Sequence, residues 1–587
     1  MKRLLRLLPY LARYRRTLIA GVATVVLSNL FTVALPLFIG RAVDQLKAGL
    51  ERHELVGNDL LLYAGLIVGF SLVAGVFTFL TRQTIIVASR YIEFDLRNDF
   101  LAHIQKLPLS FFQNTPTGDL MAHATNDISA VRNALGPGIM YPTDTFMTFM
   151  LVLGIMLYKD WELTLMALIP LPFVSFAVYR LGKLVHKKFE ERQEQYSMLT
   201  TRAQENLSGI RVVKAYVREE HETGLFHSLS WEYLKKNLVL ARVQSIMWPL
   251  MFLLVGCSLI ITLYLGGMRV IEGRMTVGSL TAFFGYLVML IWPMIAFGWV
   301  INILQQGAAS MGRLVKIMDA VPDIRDTDET DHGITALCGE IEFRNVDFSY
   351  AGASRPSLQD ISLTVPAGTT IAVVGYTGSG KSSLVNLIPR LYDATQGSVL
   401  IDGVDIRRIP LRVLRGNIGY VPQETFLFSE SIEENIRYGV DGGTEEQVRK
   451  AAEDSQISRD ISEFPVGYAT MVGERGITLS GGQKQRTSIA RAVMREPKIL
   501  ILDDALSAVD TYTEEEILKR LRSVMRGRTS FLISHRISTV KEADLIVVLH
   551  EGKIVERGNH DQLVALGGKY AELYRKQLLE EELEHLA

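Results

Sequence analysis

Residues 370–382 read TIAVVGYTGSGKS, and that stretch decides the fold of the second half of the chain. Residues 370–374 are apolar and largely β-favouring, and they run into Gly375-Tyr376-Thr377-Gly378-Ser379-Gly380. Lys381, Ser382 and Ser383 then open a helical pattern that continues to Leu391. A strand, a glycine-rich loop and a helix in that order form the context a phosphate-binding loop requires. Glycines let successive backbone N–H groups curl around a phosphate, and the helix start adds a favourable dipole. In such a loop Lys381 neutralises β- and γ-phosphate oxygens, and Ser382 holds Mg²⁺.

Two further strands end in polar residues. Residues 499–502 (ILIL) deliver Asp503 and Asp504, with Asp503 placed to serve Mg²⁺. Residues 529–533 end in Ser534-His535, where His535 is placed to hydrogen-bond a γ-phosphate. Between them, Leu479-Ser480-Gly481-Gly482-Gln483 precedes a helical stretch, 484–494. That is a second helix start with free N–H groups and a serine hydroxyl. A single domain thus carries two anion-binding helix starts for one nucleotide.

The order of these pieces resembles the nucleotide-binding domain of ABC transporters from about Gly339 onward, and residues 479–483 match that family's signature motif. The resemblance implies roles residue by residue. Tyr350 corresponds to the aromatic that stacks on adenine. Gln423, in Tyr420-Val421-Pro422-Gln423, corresponds to the Q-loop glutamine that senses Mg²⁺ and meets the membrane domain. Asp510 corresponds to the D-loop, and Glu474-Arg475-Gly476 to an exporter segment that contacts intracellular helices. In the family two such domains pair head to tail. Each ATP then lies between the Gly375–Ser383 loop of one subunit and the Ser480–Gln483 motif of the other.

The first half reads differently. A bilayer core takes about 20 apolar residues in a helix. Residues 18–39 and 60–80 carry no charge, and 138–158 carries only Asp144. Residues 163–179, 245–267 and 277–304 complete six expected spans. The polar segments 81–137 and 180–244 are rich in Lys and Arg, which puts them and both termini in the cytoplasm by the positive-inside rule. Their apolar residues recur at helical period, so they read as membrane helices running on into the cytoplasm. Breaks at 108–118 and 207–209 mark tips able to touch another domain. Six spans with such extensions resemble the ABC exporter type. The expected fold is an all-α six-helix transmembrane domain over 1–320, a linker over 321–338 and an α/β P-loop ATPase domain over 339–587. The acidic, proline-containing run VPDIRDTDETD (321–331) supports that boundary.

Composition bounds the rest. The chain has 587 residues, 48% of them hydrophobic, and a net charge of −1, which offers nucleic acid no basic field. Cys257 and Cys338 form neither a disulfide framework nor a metal site and read as inert packing residues. At the start of the chain, Arg6, Arg13, Arg15 and Arg16 interrupt the apolar run a signal peptide needs, so a basic amphipathic helix at the membrane surface is expected. Asp144 is either functional or a carboxylate facing water near a helix end. Trp248, Phe283, Phe284, Trp292, Phe297 and Trp299 either line a greasy substrate path or pack and anchor the helices.

One position departs from the family. After the Walker B aspartate a glutamate usually acts on the attacking water; here Asp504 stands, and it reaches about 1 Å less far, a displacement that can cost about 10²-fold in rate. Every other motif is intact. The pattern implies one subunit of a heterodimeric exporter of drugs, lipids or peptides. Its own ATP site hydrolyses slowly, and its Ser480 motif completes the partner's site. The alternatives are a homodimer with two sluggish sites, among them a lipid flippase, and an ATP-gated conduit or sensor that does not pump. No substrate-binding-protein domain argues for an importer, and six spans exclude a soluble ATPase.

Overall fold

The computed structural model describes residues 2–53, 57–473, 476, 478–507, 511–534 and 536–586. Contacts divide the chain into two units. One holds Met1–Ile104 and Gly118–Asp319; the other holds Gln105–Thr117 and Ala320–Ala587.

The first unit is all helix. Among the described residues five helical runs, Arg15–Arg52, Gly57–Ile104, Thr117–Lys159, Glu219–Ile271 and Val277–Met318, are long and apolar enough to cross a membrane. Each contains one of the expected spans and extends past it. Apolar side chains such as Val68 and Leu72 are 65% exposed, which a helix in water would not tolerate over such a length. The sixth expected span is built differently. Trp161–Leu168 ends at Ile169, and Pro170–Ser208 starts anew, so neither piece alone joins sufficient length to apolarity. Pro170 has no N–H to continue the ladder and becomes the first residue of the next helix. Pro36, Pro142 and Pro249 lie inside helices that continue through them.

A buried cluster of Val33, Val152, Met156, Leu163, Phe283, Tyr286 and neighbouring side chains holds this unit together. Gly40 and Gly278 lie against each other with no room for a Cβ on either, the close approach that small residues give membrane helices. Asp44 locks the same crossing by accepting from the Gly278 N–H at 2.7 Å and the Thr276 hydroxyl at 2.7 Å. The basic segment at the start of the chain is helical over Lys2–Leu7 and Leu8–Arg13. Its polar groups bind protein: Tyr10 donates to Asp99 at 2.7 Å, Arg13 to Asp95 at 3.1 Å and Arg6 to Asp319 at 2.9 Å. The aromatic set divides. Phe283 is fully buried, Trp292 and Trp299 are about half exposed, and the side chains of Trp248 and Phe297 lie outside the described residues.

The second unit is built on ten strands: β1 (Ile341–Phe348), β2 (Leu358–Val365), β3 (Thr370–Val374), β4 (Gln396–Ile401), β5 (Val404–Asp405), β6 (Ile418–Val421), β7 (Ile499–Asp503), β8 (Thr529–Ile533), β9 (Leu545–His550) and β10 (Lys553–Gly558). A four-stranded antiparallel sheet has the order β2-β1-β4-β5, and a six-stranded sheet has the order β10-β9-β3-β8-β7-β6. In the larger sheet β9, β3, β8, β7 and β6 run parallel. Every residue of β7 and β8 is buried, as a sheet covered on both faces demands. A separate helical cluster around Leu427, Ile432, Val448, Ile461 and Leu479 carries the start of helix Gly481–Met494.

Residues 105–117, including the short helix Leu109–Asn114, belong to this second unit, where Gln113 hydrogen-bonds Tyr392. The chain breaks expected near 108–118 and 207–209 fall at Pro108 and Gly209. The two cysteines are not packing residues: both are free thiols and exposed.

Candidate nucleotide site

Parallel pairing sets three strand ends at one edge of the larger sheet. Val373 of β3 and Asp503 of β7 both pair with Ile533 of β8, from opposite sides. The residues at the three strand ends are therefore brought together: the glycine loop after β3, Asp503-Asp504 at the end of β7, and Ser534 after β8. Ligands of open parallel sheets collect at such carboxyl ends.

The loop after β3 is shaped by its glycines. Gly378 and Gly380 have φ of +81° and +102°, a region closed to most side chains. A Cβ on Gly380 would also lie 2.5 Å from the Ser357 carbonyl oxygen. Helix Lys381–Leu387 begins directly after it. Inside the loop the Ser379 hydroxyl is buried without a hydrogen-bond partner. Lys381 is 7% exposed and donates to the carbonyls of Gly375 at 2.8 Å and Tyr376 at 3.1 Å. A buried ammonium and a helix start facing one hollow, with an orphan hydroxyl in the same loop, fit a polyanion such as a nucleotide phosphate chain.

A cleft of about 270 Å³ opens there. Tyr350, Thr377, Gly378, Gly380, Lys381, Ser382, Ser383, Gln423, Asp503 and Asp504 all line it. The Ser382 hydroxyl donates to Asp503 Oδ1 at 3.1 Å. Ser382, Asp503 and Gln423 offer hard oxygen donors, which suit Mg²⁺ when phosphate oxygens and water complete the octahedron. Among the described residues no group of three or more His, Cys, Asp or Glu forms a metal cage without such help. Burial holds Lys381 below the ordinary lysine range, against the pull of Asp503 and Asp504. Burial likewise raises Asp503 above the ordinary carboxylate range; Asp504 adds to this, while the Ser382 hydrogen bond and Lys381 oppose it. Both shifts mark a site where burial outweighs the attraction between the lysine and the carboxylates, and which gains from a bound cation and polyphosphate together.

Asp504 sits in a left-handed backbone conformation, φ +49°, which aspartate tolerates better than most residues. Its N–H donates to the Ile533 carbonyl at 2.9 Å, and its own carbonyl accepts from Ser507 Oγ at 2.9 Å. Tyr350 lines the cleft with its hydroxyl 3.1 Å from that of Ser383, and its ring packs edge-on against Phe348 and Tyr392.

The second anion-binding start lies apart from this cleft, since neither Ser480, Gly481, Gly482 nor Gln483 lines it. Ser480 caps helix Gly481–Met494 in a reciprocal box: its Oγ accepts from Gln483 N–H at 3.3 Å, and Gln483 Oε1 accepts from Ser480 N–H at 2.9 Å. The serine lone pair is thus used within the helix, but its O–H proton and the N–H groups of Gly481 and Gly482 remain for a ligand. Gln483 is fixed in turn by donating to Asp460 at 2.9 Å, which Arg486 also grips at 2.8 and 3.0 Å.

Sequence reasoning missed several supports. Gln485 donates to Ser507 Oγ at 3.1 Å and reaches the Asp504 carbonyl at 3.4 Å, tying the signature helix to the end of β7. Glu514, 3% exposed, binds both Arg536 and Thr539. No motif spacing announces either contact. His535, Asp510, Glu474 and Arg475 lie outside the described residues.

The ABC transporter transmembrane region matches residues 18–294, and a second ABC transporter family matches residues 358–507. The chain is 39% identical over 554 residues to a probable multidrug resistance ABC transporter ATP-binding/permease protein, YheI, of Bacillus subtilis, covering 94% of this chain and 93% of that one. It is also 39% identical over 489 residues to the ATP-dependent lipid A-core flippase of Syntrophus aciditrophicus, covering 83% and 81%. Among solved structures it resembles a bacterial Atm1-family ABC exporter with ATP bound, with a TM-score of 0.79 and 28% identity over 96% of this chain and 99% of that one. With a helical membrane region and an α/β ATPase region in one polypeptide, this chain belongs to the ABC transporters as an exporter that couples ATP hydrolysis to transport.

Proposed function

We propose that this exporter moves hydrophobic or amphipathic compounds out of the cytoplasm as one subunit of a heterodimer, and that its own ATP site is the slow one. One observation carries this reading. Asp504 stands in the cleft beside Lys381, Ser382 and Asp503, whereas the Ser480 helix start lies outside that cleft. The chain therefore has a nucleotide cradle with a short carboxylate, and an intact signature helix with no nucleotide of its own. A second ABC half-transporter, carrying a glutamate where this chain has Asp504, makes both features useful.

In that assembly Tyr350 packs on the adenine, and residues Gly375, Tyr376, Thr377, Gly378, Ser379, Gly380 and Ser383 hold the phosphates with Lys381. Ser382, Asp503 and Gln423 hold Mg²⁺, which offsets the charge of the phosphates. His535 bonds the γ-phosphate, and Asp510 faces the partner. Ser480, Gly481, Gly482 and Gln483 close the partner's site through backbone N–H groups and a hydroxyl. Asp504 orients water poorly because its carboxylate falls about 1 Å short of a glutamate's, so the partner's site turns over faster. ATP binding closes the paired domains and turns the membrane cavity outward; hydrolysis resets it. Coupling of this closure to the membrane helices runs through the cytoplasmic helix tips near residues 111–119 and 206–211. The ATP-binding unit and both termini lie in the cytoplasm, with the first unit in the cytoplasmic membrane.

The test is ATP-driven uptake into inverted vesicles with the co-expressed partner, using wild type and Asp504→Ala. Vanadate-sensitive uphill uptake retained in the variant supports the slow-site reading; lost uptake overturns it. Full-rate hydrolysis by this chain alone would establish a homodimer, and ATP binding without uphill movement would establish a gated conduit.

A further inference from the structure

Asp144 is the one carboxylate in the apolar stretch 138–158, and its surroundings are specific. It accepts a hydrogen bond on Oδ1 from Asn29 Nδ2 at 2.8 Å. Asn29, 5% exposed, also donates to the Val25 carbonyl at 3.0 Å and accepts from the Thr148 hydroxyl. The amide is thereby fixed, with its N–H₂ edge held toward the carboxylate. No charged side chain faces Asp144 among the described residues.

Asp144 lies about 10 Å from the start of helix Pro137–Lys159 and about 22 Å from its end at Lys159, at 1.5 Å per residue along the axis. No other charged residue occurs in the sequence between Arg132 and Lys159. A carboxylate at such depth is costly against lipid and persists where it meets a cavity or a cation.

Aromatic faces stand next to it. Tyr141 lies one turn before Asp144 on the same helix face. Its ring meets Trp299 of helix Ile291–Met318 edge-on, with centroids 4.8 Å apart at 66°. Both rings retain accessible surface, Trp299 being 46% exposed. A carboxylate held by a neutral amide, one turn from an accessible tyrosine–tryptophan pair, presents a negative charge and negative π faces together.

We propose that Asp144, Tyr141 and Trp299 form a subsite for the positive charge of a lipophilic cation, with Asn29 and Thr148 as positioning residues. The site selects delocalised or quaternary cations over neutral compounds of the same bulk. It rests on the reading of this chain as an exporter of amphipathic compounds.

The experiment uses the assembled transporter in nanodiscs. Tetraphenylphosphonium, a cation, and triphenylphosphine oxide, its neutral counterpart, are titrated against ATPase rate, each variant normalised to its own drug-free rate. For Asp144→Asn the half-saturating tetraphenylphosphonium concentration should rise at least about tenfold, with triphenylphosphine oxide shifting less than about twofold. Asp144→Glu should keep the cation response within about threefold, because the charge remains. An equal shift for both probes, or none for the cation, overturns the proposal. A response to triphenylphosphine oxide but not to tetraphenylphosphonium in wild type overturns it alone and leaves the amphipathic-export reading standing. No response to either overturns both. Should Asp144→Asn fail to assemble on gel filtration, Tyr141→Leu and Trp299→Leu carry the same test, with a cation-selective loss expected and a loss common to both probes counting against the subsite.

Discussion

Helices Lys381–Leu387 and Gly481–Met494 both start beside a glycine with free N–H groups, yet they are finished in opposite ways. The first comes after a loop with three glycines at positive φ, buries its lysine and faces Asp503 across a cleft. The second begins at the surface, where Ser480 caps its own helix and Gln483 is held by Asp460. A helix start can thus be a whole binding site or half of one, and its surroundings decide which. Enclosure multiplies the value of each charge and dipole; an exposed start needs another surface to exclude water.

Experiments that break this contrast should differ in size. Lys381→Ala removes the buried ammonium, and affinity for a fluorescent ATP analogue should fall about 100-fold, near the ~3 kcal/mol of a charged hydrogen bond. Affinity within twofold of wild type would show that the cleft is not the chain's own nucleotide site. Ser480→Arg fills the exposed start. It should leave that affinity nearly unchanged while vanadate-sensitive hydrolysis by the assembled transporter drops about tenfold or more. Equal loss of both would erase the distinction between the two helices.

Acidity separates the two starts more gently. Asp503 is protonated at pH values where an ordinary carboxylate is bare, and a metal ligand must be deprotonated. Mg²⁺-dependent ATP affinity should therefore weaken on acidification beginning above the ordinary carboxylate range, by roughly 3- to 10-fold per unit once Asp503 titrates. On the alkaline side it should weaken below the ordinary lysine range, because burial favours neutral Lys381. Titrations with and without Mg²⁺ isolate the acid limb, and equal slopes in both would remove Asp503 from the metal. The smallest effect concerns the cap. Ser480→Ala should cost about 1 kcal/mol of stability in urea unfolding, and Ser480→Asn should restore most of it without restoring hydrolysis. Full recovery of hydrolysis by asparagine would mean that the hydroxyl serves only the helix.

Much of the cleft was legible because its parts are local. A strand, a glycine turn and a lysine at a helix start lie within thirteen residues, so 370–382 reads as a phosphate cradle without any knowledge of the fold. Asp503 announces itself as a carboxylate ending an apolar run. The break at Ile169 is harder to see. Pro170 stands in an apolar stretch that composition alone reads as one span, and the discontinuity appears only where the backbone ladder stops. The start of the chain reads as a basic amphipathic helix at the membrane surface, and the fold adds that Arg13 and Arg6 pair with Asp95 and Asp319, partners no local pattern displays. Cys257 and Cys338 read as packed, and exposure depends on which way a helix or strand edge turns.

By itself the sequence determined the elements: which segments are apolar enough for a bilayer, where the glycines force a cradle, and that a carboxylate one methylene short comes after the Walker aspartate. Tertiary structure decided the partners. It brought Asp503 and Asp504 into one cleft with Lys381, kept Ser480 out of it, and set Asn29 against Asp144 across 115 residues of chain. Backbone conformation arises mainly from each residue and its near neighbours, whereas a hydrogen bond between distant side chains exists only once sheets and helices have packed.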